Sequence, residues 1–276
     1  PLSEAGGRTK KYYAIRDTMS EWVKLPEYPV EDTKKVDFGT AEFKETASLW
    51  SNLGALDPSP VVAEHPMTME KLDLDYGFIL YRTVVKKGGK VRIEDVHDRA
   101  YVYVNQRYFG LIERANVAAT VEIEAKEGDS LDILLESLGR LNYGGQMKDP
   151  KGILGDVYLD DEVLLHWTMY RLGMKDLSHL QWVEAKEKAV GPAFYRSFVE
   201  IAEPADTFVN PKGWTKGHIY ANGVNLGRFW TVGPQLTLYC PAPLLKSGTN
   251  EFVAFEISGS ESLTMTLDDH HQIDIL

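Results

Sequence analysis

Residues 101–110 read YVYVNQRYFG, and residues 218–227 read HIYANGVNLG. Both open on the two-residue alternation of a half-buried strand. In each, an Asn follows and a Gly comes five residues later: Asn105 with Gly110, Asn222 with Gly227. Asn222-Gly223 is a strong two-residue hairpin signal, because both central positions of such a turn need positive φ. Each unit then continues into an alternating strand and reaches a turn, Glu127-Gly128-Asp129 or Ser247-Gly248-Thr249-Asn250. A last hydrophobic strand follows, Leu131–Leu135 or Phe252–Ile257. This repeat predicts two β-sandwiches built alike, through common ancestry or convergent hairpin chemistry.

The same short period recurs at Val36-Asp37-Phe38, Leu72-Asp73-Leu74 and Val121-Glu122-Ile123, with Gly, Asn and Asp turns between. The chain therefore reads as mostly β. Helical spacing is confined to the start. Over residues 9–24 the apolar positions Tyr12, Ile15, Met19, Trp22 and Val23 fall on one stripe, with Thr9 as the expected N-cap and Pro26 as the stop. Residues 175–190 are charged and suit a linker with at most a helical turn. The expected organisation is a helix and connector over 1–30 and an extended linker or strand segment over 31–59. A first β-domain over 60–172, a linker over 173–189 and a second β-domain over 190–276 complete it. The strand-like Val36–Phe43 can pair with either domain.

Composition narrows the function. Thirty Lys and Arg against 41 Asp and Glu leave a net charge of −11, which argues against nucleic acid and against anionic membrane as partners. No apolar run approaches the roughly 18 residues of a membrane helix. Cys240 is alone, so no internal disulfide framework or thiolate cluster is expected, and it reads as a small buried hydrophobe. No Asn-x-Ser/Thr sequon occurs. The first residue is not Met and no apolar leader follows, so a mature or cut chain is expected.

Most searches for chemistry come back empty. Phosphate-binding glycine loops, HExxH and Gly-x-Ser-x-Gly are absent, and no cofactor or metal is expected. Asp268-Asp269-His270-His271 reads as a solvated run, since four adjacent residues cannot close a tetrahedral site alone. His97-Asp98-Arg99 reads as a charged, hydrogen-bonded turn rather than a catalytic dyad. Carboxylates are plentiful, but no βα alternation builds a barrel mouth to hold a glycosidase pair. Two segments carry more than packing needs. Leu138–Gly145, LGRLNYGG, sets Arg140, Asn142 and Tyr143 on a glycine-bounded loop after a buried strand, where recognition residues tend to lie. Gly213–Gly217, Asn225–Trp230 and Gly233–Gln235 offer Trp, Arg and Gln either as a carbohydrate face or as a lock between sheets.

These segments also carry a resemblance. GWTKGHIYANGVNLGRFWTVGPQLTLYCPAPLL (213–245) resembles the C-terminal signature of the β-galactosidases of glycoside hydrolase family 35. LDYGFILYRT (74–83), VHDRAYVYVNQRYFGLIER (96–114) and LLESLGRLNYG (134–144) resemble the preceding β-domain, in the same order. PLSEAGGRTKKYYAIRD (1–17) resembles the end of the catalytic barrel, and the whole lies nearest the animal lysosomal and similar bacterial enzymes.

The resemblance implies two jelly-roll, galactose-binding-like sandwiches preceded by the terminal helix of a (β/α)8 barrel. The family's catalytic Glu pair lies upstream of everything in this chain, so no catalytic residue is expected here. The activity implied is retaining removal of terminal β-linked galactose, with this chain supporting the barrel and closing its sugar pocket. Tyr143 is the implied substrate-binding residue, and Arg140 and Asn142 would hold its loop through hydrogen bonds to carbonyls. The partners implied are the barrel portion and galactosides, with a homodimer as one assembly. A lysosomal or secreted location is implied. The missing sequons, and a tail without the Cys pair of the mammalian form, leave the bacterial cytoplasm as the alternative. A stand-alone galactose-binding, lectin-like module is the competing reading. The N-terminal stripe separates the two, since a free lectin gains nothing from exposing it.

Overall fold

The computed structural model describes residues 1–26, 31–116, 118–145, 147–185 and 191–273. The mostly-β expectation holds, with strands gathered in several sheets. The chain divides into two compact units, residues 52–180 and residues 1–51 with 181–276.

The unit over 52–180 is organised by two long antiparallel strands, Phe78–Ile93 and Val121–Glu136, paired along most of their length. Register shifts at Val85, Lys87 and Gly89 interrupt the ladder midway. Gly88 and Gly89 sit in that interruption, where a Cβ on Gly88 would lie 2.6 Å from the Ile123 carbonyl. On the far side of Phe78–Ile93, Trp167–Leu172 pairs with its first half and Val157–Leu159 with its second. Residues of both halves enter one core, Ile79 and Tyr81 with Val91, Ile93, Ile133 and Leu135. The interruption is thus where one continuous sheet folds over on its own apolar face.

The other unit is a two-sheet sandwich. A six-stranded sheet carries Ala193–Ile201, Gly248–Glu256, Lys216–Ala221 and Val224–Trp230, and a four-stranded sheet carries Thr264–Asp268 and Thr207–Asn210. Their facing residues share a core that includes Tyr195, Ile219, Phe252, Val209 and Leu267.

The two hairpins match in detail. Asn105 and Gln106 have φ of 47° and 70°, and Asn222 and Gly223 have 48° and 83°. Each ladder shifts register three residues before its Asn, between Val102 and Tyr103 and between Ile219 and Tyr220. Each Asn side chain accepts from the third strand, from the Ser130 N–H in one case and the Glu251 N–H in the other, both at 3.0 Å.

The edges of the expected organisation shift. Residues 31–59 hold two short strands and a helix. Gly39–Glu42 pairs with Thr264–Asp268, and Glu45–Ser48 pairs with Ala193–Ile201, because Ala41, Phe43 and Ala47 all face the interior. A short helix, Leu49–Leu56, follows and buries Leu49, Asn52 and Leu53. The expected 173–189 linker contains an edge strand, Val183–Glu184, on Glu45–Ser48, and a single turn that the Leu180 N–H closes on the Leu177 carbonyl at 3.3 Å. Residues 186–190 of that segment and 27–30 of the first connector lie outside the described residues. The N-terminal helix is shorter than its apolar spacing predicts, Lys10–Ser20, with Thr9 as its N-cap. Its chain turns at Trp22, whose N–H reaches back to the Met19 carbonyl.

Candidate functional site

The strand Val121–Glu136 delivers the chain to the loop that holds Tyr143. Gly139 and Gly144 take φ of +116° and +90°, a region costly for other residues, so they let the chain reverse around the tip. Tyr143 stands 89% exposed and makes no hydrogen bond among the described residues. Arg140 is tied to the turn at 70–75. Its Nε donates to the Asp75 carbonyl at 2.9 Å and its Nη2 to the Leu74 carbonyl at 3.4 Å, while Nη1 reaches Glu70 Oε1 at 2.5 Å. Asn142 is exposed, and its side chain makes no hydrogen bond among the described residues.

Beneath the exposed tip lies a buried lattice of charge. Asp98 accepts from the Leu138 N–H at 2.8 Å, at the point where the chain leaves the strand. Lys151 Nζ lies 3.0 Å from both Asp98 oxygens and 2.8 Å from Asp149. Arg114 clamps Asp149 with two bonds of 2.8 and 2.9 Å. The His97 Nδ1–H donates to the Pro150 carbonyl at 2.7 Å. Both ends of the loop are therefore tied to the turn at 97–98, which the sequence marked as a charged turn and which serves as one. Asp149 and Lys151 were missed, since nothing in DPKG signals that four residues from three chain segments meet there.

The Arg114 guanidinium, with Lys151, holds the Asp149 carboxyl well below its ordinary value of 3.8. Burial pushes Glu70 upward, but hydrogen bonds led by Arg140 outweigh it, and the group lies below its ordinary 4.5. An acid whose folded value is depressed adds stability that is full above its unfolded value and is lost as pH falls through the folded one. The stability gap between the native chain and Asp149→Asn should thus be full above about pH 4 and narrow progressively as pH falls below it. Urea unfolding at several pH values measures this, and a gap independent of pH would contradict it.

The second segment resolves toward packing. Trp214 is 2% exposed, its Nε1–H donates to the Thr264 carbonyl at 2.9 Å, and its ring meets Phe43, Tyr195 and Phe229 edge-on. It is a lock between sheets. Trp230 stacks under the Lys216 ammonium at 3.8 Å and beside Arg228, and edges a cleft of about 360 Å³ that Lys212, Leu236 and Gln272 also line. Gln235 donates to the Thr237 carbonyl. Cys240 is fully buried, which pushes its thiol up to about 12 and away from reactivity.

Comparison with known proteins places both units. Residues 66–173 match the family model of the β-galactosidase first all-beta domain, and residues 192–250 match that of the β-galactosidase galactose-binding domain. A human β-galactosidase is 36% identical over 93% of this chain and 42% of its own length. The β-galactosidase of Xanthomonas manihotis is 39% identical over 86% of this chain and 40% of its own. Human β-galactosidase-1-like protein 2 is 36% identical over 92% and 42%. The chain spans about two fifths of the length of these relatives. A Pleurotus ostreatus lectin covers 85% of the chain at 12% identity, but its TM-score of 0.24 is too low to bear on fold or function. The chain belongs to the β-galactosidases of glycoside hydrolase family 35, of which it carries the C-terminal β-domains.

Proposed function

We propose that this chain is the non-catalytic C-terminal part of a retaining β-galactosidase, and that it closes the galactose pocket of a catalytic barrel with Tyr143. The observation that carries this reading is the contrast at the 138–150 loop. Its ends are fixed by the buried Asp98–Lys151 pair, while its tip offers a Tyr that is 89% exposed and makes no hydrogen bond among the described residues. An aromatic ring with a free hydroxyl suits one face of a sugar, with the hydroxyl bonding a ring oxygen or a catalytic carboxylate. The barrel partner is supported by the N-terminal helix and the turn that follows it. Ile15, Met19 and Val23 are 42%, 48% and 52% exposed and Trp22 is 83% exposed, an unsatisfied face that a docked barrel would cover.

The test is Tyr143→Phe in the full-length enzyme. Losing one hydrogen bond to a neutral partner costs roughly 0.5–1.5 kcal/mol, and more for a charged one. kcat/KM on a chromogenic β-galactoside should drop about three- to thirtyfold, with Tm unchanged. Native kinetics in Tyr143→Phe, or turnover by residues 1–276 alone, would overturn the reading.

A further inference from the structure

Glu70 adds a second link between the two arms of the loop, beside the one that Asp98 makes through the Leu138 N–H and the Lys151 ammonium. Its Oε1 receives Arg140 Nη1 at 2.5 Å, in the advancing arm of the loop. The same carboxylate receives the Lys151 N–H at 3.1 and 3.2 Å, in the returning arm. The returning arm is stitched to the same turn again. The Met69 N–H donates to the Lys151 carbonyl at 2.7 Å, and Thr68 forms a bridge with Gly152. Gly152 is required there, since a Cβ at its φ of +110° would lie 2.7 Å from the Tyr81 hydroxyl and 3.2 Å from Met69 N. With Arg140 also holding the Leu74 and Asp75 carbonyls, the advancing arm is fixed just three residues before Tyr143.

We propose that Glu70 is a positioning residue for galactoside turnover: it clamps the two arms of the 138–150 loop together and so sets where Tyr143 stands. The proposal rests on the reading of Tyr143 as a pocket residue. Glu70 touches no substrate in it and acts only through the loop. Asp98 and Lys151 hold the loop's ends, but they are buried, so their loss unfolds the region rather than loosening its tip. Glu70 is different. Its side chain is 40% exposed, so water can replace its bonds at little cost in folding.

The experiment uses the full-length enzyme with Glu70→Ala, Glu70→Gln, Tyr143→Ala and the double variant Glu70→Ala/Tyr143→Ala. Misplacing a positioned group by about 1 Å costs up to about a hundredfold in rate. A loosened tip should thus lower kcat/KM about five- to tenfold in Glu70→Ala, with Tm within about 3 °C of native. Glu70→Gln keeps an acceptor oxygen and should recover part of the loss. Amide exchange over 139–145 should quicken in Glu70→Ala. In the Tyr143→Ala background, where no side chain remains to be placed, Glu70→Ala should cost less than about twofold. Native kcat/KM in Glu70→Ala beside an impaired Tyr143→Ala would overturn the clamp and leave the Tyr143 reading intact. So would a full additive loss in the double variant. Native kinetics in Tyr143→Ala would sink that reading and the clamp with it. If Glu70→Ala does not fold, Glu70→Gln supplies the same comparisons.

Discussion

Trp214→Ala should cost the 1–51/181–276 unit about 3–5 kcal/mol, enough to bring a marginal domain close to unfolding. Three effects add. The side chain is 2% exposed, so its whole apolar surface leaves a packed interior. The cavity left is bounded by Phe43, Tyr195 and Phe229, which sit on well-paired segments and cannot collapse into it. The Thr264 carbonyl also loses its donor. Trp214→Phe separates these effects in part, because it keeps much of the volume while removing the N–H. It should cost roughly 1–3 kcal/mol. Urea unfolding followed by far-UV circular dichroism measures both, and a loss below about 1 kcal/mol in Trp214→Ala would show that the two sheets do not depend on this ring.

Lys151→Met should destabilise the 52–180 unit by about 3–5 kcal/mol, although Met nearly matches the Lys stem in size. The loss is electrostatic. Lys151 is 3% exposed and its ammonium sits between Asp98 and Asp149, whose side chains are themselves nearly covered. Without it, two carboxylates face each other across a site too dry to screen them, and Arg114 alone cannot neutralise both. The cost should therefore shrink when one carboxylate is also removed, so Lys151→Met/Asp98→Asn should be more stable than the sum of its parts by at least about 1 kcal/mol. An additive double variant would mean that the three groups are held by surrounding structure and not by one another.

What the residues announced in advance was whatever they decide locally. The hairpins at Asn105 and Asn222 were legible because positive φ at consecutive positions is a property of the turn residues themselves. Arg140 was legible because a long donor on a glycine-bounded loop has carbonyls within reach. Asn142 is a shorter side chain on the same loop, exposed at its tip, and its residue type alone names no partner. The strands at 39–48 were unplaced because their partners lie about 145 to 230 residues further on, and period-two patterning names a face but not a neighbour. The helix Leu49–Leu56 was hidden by its eight-residue length. The charge lattice was hidden because Asp98, Arg114 and Lys151 are ordinary surface residue types until three segments bring them together.

The outer sandwich opens with residues 39–48 and is completed only by strands from 193 onward, with the 52–180 unit wholly between them. On a ribosome this sets a timetable. At about 5–20 residues per second, the strand Glu45–Ser48 waits roughly 7–30 s before Ala193–Ile201 is synthesised. Strand partners for the inner unit all lie within its own span, so it can finish folding during that wait. Ala41, Phe43 and Ala47 meanwhile have no sheet to enter. The nascent chain thus carries an adhesive segment at 39–48 ahead of an already folded insert. Chaperone occupancy and protease susceptibility during synthesis should concentrate on those ten residues rather than on the long strands that look more hazardous.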